Sequence, residues 1–347
     1  MFRFLFFPIS VVWALFMHFR RKFYARKGTK SQISTICVGN LCMGGTGKTP
    51  HVEYVVNLLQ SRYKVAVLSR GYGRKTKGFL LANPQSTAQD IGDEPLLLYQ
   101  KNTAIAVAVC ENRVEGLQKI SENIPDIDVV VLDDAYQYLK LKCGLSIVLT
   151  DYYLIYPKDH VFPVGNLRES HSAAADADII VVTKSPKVMP ELDERLFLKK
   201  IKPLPHQQIY FSYIEEGELQ PLTAAAQAID TKTIRSVVTV SGIANPYLFL
   251  DYINHKYREK EHLIFSDHHI FKKRDITKMI SLYDRAIMRN RAIITTEKDT
   301  ARLMSSEFWQ YIAHLPVFSL PIEVKFHEKY RNAFEKQVIE YLSGSKK

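Results

Sequence analysis

The sequence predicts an α/β fold: a P-loop NTPase-type domain on a parallel sheet, followed by a second, smaller α/β domain. Three observations predict it. Short apolar, β-branched runs alternate with longer amphipathic ones, the pattern of βαβ units. One such run leads into a glycine-rich turn and a helix start across residues 39–50. Another, 129–132, ends in two acids, Asp133 and Asp134.

Taken in order, the first series of strands is expected at 33–38, 65–69, 104–109, 129–132, 145–149 and 179–183, with helices at 50–60, 94–100 and 113–120. Residues 187–235 mix proline, charge and a few extended segments, which places a linker there. A second series comes next, with strands at 236–240, 262–265, 292–295 and 316–320 and helices at 246–256 and 275–288. The expected division is an N-terminal segment 1–30, a P-loop domain 31–200, a linker 201–235 and a C-terminal α/β domain 236–347.

Apolar residues make up 46% of the 347 and charged residues 24%, ordinary for a folded protein with room for two cores. Neither low complexity nor a repeat of solenoid length is present, which excludes those classes. The four cysteines lack zinc-ligand spacing, and a reduced cytoplasmic setting without disulfides is expected.

The net charge of +11 matters through its placement. Eight basic residues and no acid precede Glu53, and they flank an apolar, aromatic stretch at 4–19. That stretch is short of the roughly 20 residues that span a hydrocarbon core, and it contains Pro8. Basic residues come after the apolar run and no small-residue cleavage site is present, so a secretory signal fits poorly. Phe, Trp and Leu backed by Arg and Lys suit an interfacial helix on anionic lipid. A tilted transmembrane anchor and a buried helix are the alternatives. Nucleic acid is not the expected partner, because the basic residues adjoin a greasy segment and no stacking platform.

The chemistry starts at Gly39-Asn40-Leu41-Cys42-Met43-Gly44-Gly45-Thr46-Gly47-Lys48-Thr49-Pro50. A strand, a glycine-rich turn and a helix start at Thr49 make a phosphate cradle from backbone N–H groups and a helix N-terminus. Lys48 would reach the β- and γ-phosphates of ATP, and the Thr49 hydroxyl would bind Mg²⁺. Cys42 stands where the strict motif has glycine, and Gly44 and Gly45 are expected to supply the flexibility. Asp133 and Asp134 close a Walker B arrangement that holds Mg²⁺ at the sheet's C-terminal edge.

Further constellations sit where strands give way to loops. Arg70 and Arg74, in Ser69-Arg70-Gly71-Tyr72-Gly73-Arg74, suit an anionic substrate. Gly92-Asp93-Glu94-Pro95 opens a helix, and there Asp93 could simply be a cap. Arg168 and Glu169 join a cation and an acid, which also fits a surface ion pair. In the second domain Phe265-Ser266-Asp267-His268-His269 and Thr295-Thr296-Glu297-Lys298-Asp299 each end a strand. Acid–base assistance or strand-end polarity suits the first better than a metal cage.

Together these segments closely resemble the tetraacyldisaccharide 4'-kinase family, in order and over nearly the whole chain. GGTGKTP with SRGYGR and GDEP after it is the specific part; LDDAYQY, VGNLRE, FSDHH and TTEKD extend it. The resemblance implies transfer of phosphate from ATP to the 4'-hydroxyl of a lipid A disaccharide 1-phosphate, giving lipid IVA. It also implies a short β linker between the domains and a peripheral or monotopic enzyme on the cytoplasmic face of the inner membrane. By position it implies Asp93 as general base with His268 in support, and Asp133 and Asp134 beside Mg²⁺ and the phosphates. Glu94, Arg113, Gln137, Arg168 and Glu169 match further active-site positions. Two departures stand out: Tyr138 replaces the family's histidine, and the Pro163–Glu169 segment reads Pro-Val-Gly-Asn-Leu-Arg-Glu.

Phosphoryl transfer asks mainly for positioning and charge neutralisation. The expected partners are an acylated disaccharide phosphate held in the membrane and an anionic lipid surface, with no obligate protein partner. Two other classes fit the P-loop alone: a membrane-associated ATPase switch with no small-molecule acceptor, and a scaffold that binds nucleotide for stability.

Overall fold

The computed structural model describes residues 2–285, 287–288 and 290–345. They form two compact units, one from residues up to Ile214 and from Val324 onward, the other from Glu215–Glu323. In chain order the strands are β1 (Thr29–Lys30), β2 (Ser34–Asn40), β3 (Val65–Ser69), β4 (Leu80–Leu81), β5 (Ala106–Val109), β6 (Val129–Asp133), β7 (Leu141–Lys142) and β8 (Leu145–Asp151). They continue with β9 (Ile179–Thr183), β10 (Gln208–Glu216), β11 (Gln220–Pro221), β12 (Ser236–Ser241), β13 (Glu259–Ile264), β14 (Arg291–Thr296), β15 (Val317–Leu320) and β16 (Ile322–Phe326). The helices that bear on the site are α1 (Phe7–Lys27), α2 (Lys48–Leu59), α3 (Ala88–Ile91), α4 (Asp93–Lys101) and α5 (Arg113–Asn123).

The first unit is organised by a nine-stranded sheet of order β16-β10-β9-β8-β2-β6-β3-β5-β4. From β10 through β5 neighbouring strands run parallel, and β4 pairs antiparallel at the edge. Covered on both faces, central strands of such a sheet carry continuous apolar runs in place of alternation. Val129–Asp133 and Ile179–Thr183 are buried at every position. Parallel strands put all their C-terminal ends on one edge, so the loops and helix starts beyond them collect there.

The second unit has a five-stranded sheet, β11-β15-β14-β12-β13, parallel except for β11 against β15. Two cores of its own, around Phe318 and Ile253 and around Val240 and Met279, lie in this unit.

The chain division differs from the expected one. Residues 201–235, expected as a linker, supply β10 to the first sheet and β11 to the second. The chain leaves the first unit within β10 and re-enters it within β16. The final helix, Glu328–Ser345, therefore belongs to the first unit, where Phe334 stacks on Phe326. No motif marks that return, since the helix carries an ordinary amphipathic pattern.

The N-terminal apolar stretch is longer as structure than as composition. Residues 3–27 form one helical segment with the length and apolar content to cross a membrane. Yet Ser10, Trp13, Met17, Arg20 and Arg21 share a face that is turned to the first unit. Ser10 Oγ donates to the Val161 carbonyl at 2.9 Å, Trp13 Nε1 to the Arg168 carbonyl at 3.0 Å, and Met17 is buried. Phe4, Val12, Phe16, Phe19 and Phe23 are exposed.

Candidate active site

The site is assembled at the C-terminal ends of β2, β3, β5, β6, β8 and β9, from the loops and helix starts beyond them. The phosphate loop comes first. Asn40 ends β2 fully buried, and its Nδ2 donates to Thr46 Oγ1 at 2.8 Å, bracing the loop across its base. Gly44 and Gly47 have positive φ (117° and 84°), whereas neither Gly45 nor Cys42 does. The irregular motif is thereby explained: the backbone at 42 needs no glycine, and Cys42 makes a bridge with Leu167. Gly47 takes the flexible role expected of Gly45 and is the N-cap of α2, which starts at Lys48, one residue earlier than expected. Burial pushes the Cys42 thiol up to about 12, so it brings no negative charge to the loop. Met43 N donates to the Asn166 carbonyl at 2.7 Å, while Met43, Gly44 and Gly45 are exposed.

Around the loop stand residues that the motif reading missed. Lys184, just past β9 and with positive φ, donates to the Gly45 carbonyl at 2.5 Å and pairs with Asp151 at 2.8 Å. Thr183 Oγ1 donates to the Thr46 carbonyl at 3.0 Å. His51 is buried, with Nδ1 2.7 Å from the Gly47 carbonyl and Nε2 2.9 Å from Ser212 Oγ. The signal available for Lys184 and Asp151 was their place at the C-terminal ends of parallel strands.

The acid pair divides its labour. Asp134 takes Arg168 Nη1 on both oxygens (2.9 and 3.1 Å), and Lys48 Nζ stands 3.7 Å away. Burial works to raise its pKa, but the Lys48 and Arg168 charges outweigh it and hold the carboxylate below its usual value. Asp133 is buried, accepts Ser69 Oγ at 3.3 Å, and has an Oδ1 with no hydrogen-bond partner. Burial, then the charges of Glu94 and Asp134, raise its pKa to about 7. An orphaned buried carboxylate oxygen amid other acids is a position that favours a cation. With the Thr49 hydroxyl at the first turn of α2, these residues fit Mg²⁺, which takes few protein ligands and completes its shell with phosphate oxygens and water. Among the described residues no cluster of three His, Cys, Asp or Glu stands ready for a metal.

Gln137 links the parts: its Oε1 accepts Arg168 Nη1 at 3.1 Å and its Nε2 donates to the Asn40 carbonyl at 2.6 Å. Arg113, at the start of α5, is buried and donates to the carbonyls of Cys110 and, at 3.5 Å, Asp133. Desolvation lowers its pKa. Tyr138, the departure from the family's histidine, donates to Asn112 Oδ1 at 2.7 Å and lays its ring 5.9 Å from the Arg113 guanidinium carbon. Arg70 is exposed at the end of β3. Arg74 is tied to the Gly78 carbonyl and to Glu111 at 2.6 Å, so it braces the loop after β3 against the one after β5.

The SRGYGR and GDEP segments pack back to back. Gly71 and Gly92 have φ of 69° and 93°, and a Cβ on either would meet a carbonyl oxygen of the other segment, Ile91 or Tyr72, at 2.9 Å. Gly92 is the N-cap of α4, which leaves Asp93 at the first helical position and not at the cap. Asp93 and Glu94 are half-buried in that first turn, where the helix dipole favours negative charge.

His268 belongs to the second unit, after β13, with φ of 56°. Lys298 Nζ is 3.5 Å from both His268 Nε2 and Asp267 Oδ1. His269 instead bonds Asp275 at 2.9 Å and stacks on Phe265, so the Asp-His-His run does not converge on one point.

The family model for tetraacyldisaccharide-1-P 4'-kinase, LpxK, matches residues 2–340. A tetraacyldisaccharide 4'-kinase from Bacteroides thetaiotaomicron is 37% identical over 350 residues, 97% of this chain and 92% of its own. One from Parabacteroides distasonis is 40% identical over 348 residues, 96% and 93% of the two chains. The crystal structure of Aquifex aeolicus LpxK in complex with ATP superposes with a TM-score of 0.74 at 26% identity, covering 99% of this chain and 100% of that one. With the family model spanning the phosphate loop, the acid pair and the second unit alike, the chain belongs to the tetraacyldisaccharide-1-P 4'-kinase family.

Proposed function

We propose that this chain transfers the γ-phosphoryl group of ATP to the 4'-hydroxyl of a tetraacyldisaccharide 1-phosphate, the lipid A precursor, yielding lipid IVA. The observation that carries the reading is the gathering of Lys48, Asp133, Asp134, Arg168 and the Asp93 helix start at the C-terminal edge of one sheet in a member of this family. A bare ATPase switch would have no need of the paired SRGYGR and GDEP turns beside its phosphate loop.

In this reading the loop amides and Lys48 hold the nucleotide phosphates, and Lys184 keeps the loop's Gly45 carbonyl turned aside. Thr49, Asp133 and Asp134 would hold Mg²⁺, which supplies charge neutralisation across the phosphates. Asp93 would accept the proton of the attacking hydroxyl, a contribution of about 10²–10⁴-fold. Arg113 and Arg70 would face the anionic groups of nucleotide and substrate, with Glu94 beside Asp93. A role for His268 rests on the resemblance, and loss of turnover in His268→Ala with ATP binding kept is its test.

The acceptor's acyl chains stay in lipid, so the sugar is met at a membrane surface. We read α1 as lying in the interface of the cytoplasmic leaflet. Contacts at Ser10, Trp13, Arg20 and Arg21 bind one side of the helix to the kinase unit, and a spanning helix would carry those polar contacts into hydrocarbon. The exposed Phe and Val side is left for lipid.

Labelled ATP with the acylated disaccharide 1-phosphate in detergent micelles tests the proposal. Label at the 4'-position is the expected outcome. Hydrolysis without transfer would favour the switch, and thermal protection by ATP with neither would favour the scaffold.

A further inference from the structure

The basic residues of the N-terminal helix are not all on its exposed side: Arg20 and Arg21 lead into the site. Arg21 Nε donates to Glu169 Oε2 at 2.8 Å and Arg21 Nη1 to Asp176 at 2.6 Å. Its guanidinium carbon lies 5.0 Å from the centre of the Tyr136 ring, two residues after Asp134. Glu169 is 1% exposed, and its Oε1 has no hydrogen-bond partner. This carboxylate is thus not presented to a substrate; it is a buried charge balanced by one arginine from the helix. The residue before it, Arg168, holds Asp134 and Gln137 through a single nitrogen. The helix touches that pair twice more: Trp13 Nε1 on the Arg168 carbonyl at 3.0 Å and Arg20 Nη2 on the Gln137 carbonyl at 3.3 Å.

We propose that Arg21 is a positioning residue for phosphoryl transfer, its ion pair with Glu169 locking the Arg168 backbone so that the guanidinium meets Asp134. This rests on the kinase reading above. Burial opposes the charge on Arg21, and Glu169 more than compensates, holding the guanidinium above its ordinary pKa. A buried ion pair broken on one side leaves an uncompensated charge, so the segment must shift when Arg21 is lost. Displacement of a group by about 1 Å at a phosphoryl-transfer site costs up to about 100-fold in rate. The helix is then part of the catalytic frame as well as a membrane contact.

The test is a double-mutant cycle on the full chain with micellar substrate. Arg21→Ala is expected to lower kcat about 10–100-fold while the KM for ATP changes little, and Arg21→Lys to recover part of the loss. In an Arg168→Ala background, Arg21→Ala should add almost nothing, because its effect runs through Arg168. Co-sedimentation with phosphatidylglycerol vesicles should survive the substitution. Additive losses in the cycle, or lost vesicle binding with kcat retained, would overturn the proposal. A Glu169→Gln, Arg21→Gln pair removes both charges together and guards against simple misfolding. If that pair melts like the parent yet keeps full kcat, the lock does not act on turnover. Absence of transfer by the unsubstituted protein would instead refute the kinase reading.

Discussion

Arg168 donates one nitrogen, Nη1, to both carboxylate oxygens of Asp134 and to Gln137 Oε1. Asp134 also has positive φ (47°), so its backbone is held in a conformation that few non-glycine residues adopt. The Lys48 and Arg168 charges together hold Asp134 below the usual carboxylate range, while burial raises Asp133 to about 7. Arg168→Ala should therefore lower kcat about 10–100-fold, the range of a charge-assisted hydrogen bond worth ~1.5–3 kcal/mol. Lysine should recover only part, since it keeps the charge on a shorter and differently shaped group. Steady-state kinetics with ATP varied checks both.

Asp93→Ala should abolish turnover, a loss of about 10²–10⁴-fold, with ATP affinity nearly intact. The N-cap of α4 is Gly92, so the substitution leaves the cap residue itself unchanged. Equal loss of turnover and of ATP binding by titration calorimetry would move Asp93 from base to structural support.

Much of this was legible in the sequence, and the reason is local. Val129–Asp133 and Ile179–Thr183 announce themselves because strands buried on both faces carry no polar residue until they end. Gly71 and Gly92 mark turns that only glycine fits. The rest depended on contacts between distant residues. Arg20 and Arg21 look like lipid-facing charge because both sides of α1 are apolar or aromatic, and only the partners Gln137 and Glu169 reveal which side docks. Lys184 carries no motif; its meaning comes from the register of β9 beside β8, which places it against Asp151.

Cys42→Gly would restore the strict phosphate-loop motif, yet it should not improve ATP binding. Position 42 lacks positive φ and its side chain is buried. The substitution should cost about 1–2 kcal/mol through lost packing and added chain entropy, seen in urea melts. Tighter ATP binding in the variant would show that Cys42 does restrict the cradle.

Two glycines with similar φ should respond differently to alanine. At Gly73 (φ 79°) a Cβ meets nothing within 4 Å, whereas at Gly92 (φ 93°) it meets Tyr72 O at 2.9 Å. Gly73→Ala should cost about 1 kcal/mol from the backbone alone. Gly92→Ala should cost about 2–4 kcal/mol and also reduce kcat, because the collision pushes the start of α4, and Asp93 with it, away from the Ser69–Arg74 turn. Comparing melts and kcat for the two variants separates backbone strain from displacement.

The buried His51 gives the first unit an acid-sensitive joint. Burial lowers its pKa from 6.5 to about 4; the Gly47 carbonyl works against that shift, and the Lys184 charge adds to it. Because the folded-state pKa is the lower one, the unfolded chain takes up the proton first as pH falls. The neutral ring's contribution is thus complete above about pH 6.5 and is lost progressively toward pH 4, amounting to about 3 kcal/mol over the window. Urea melts between pH 7 and 4.5 should show this slope in the parent and a shallower one in His51→Gln. On the proposed reading ATP occupies the loop whose Gly47 carbonyl His51 contacts, and it should offset the loss, since a ligand of the folded state stabilises by mass action. Parallel slopes in parent and variant would mean that other groups carry the acid response.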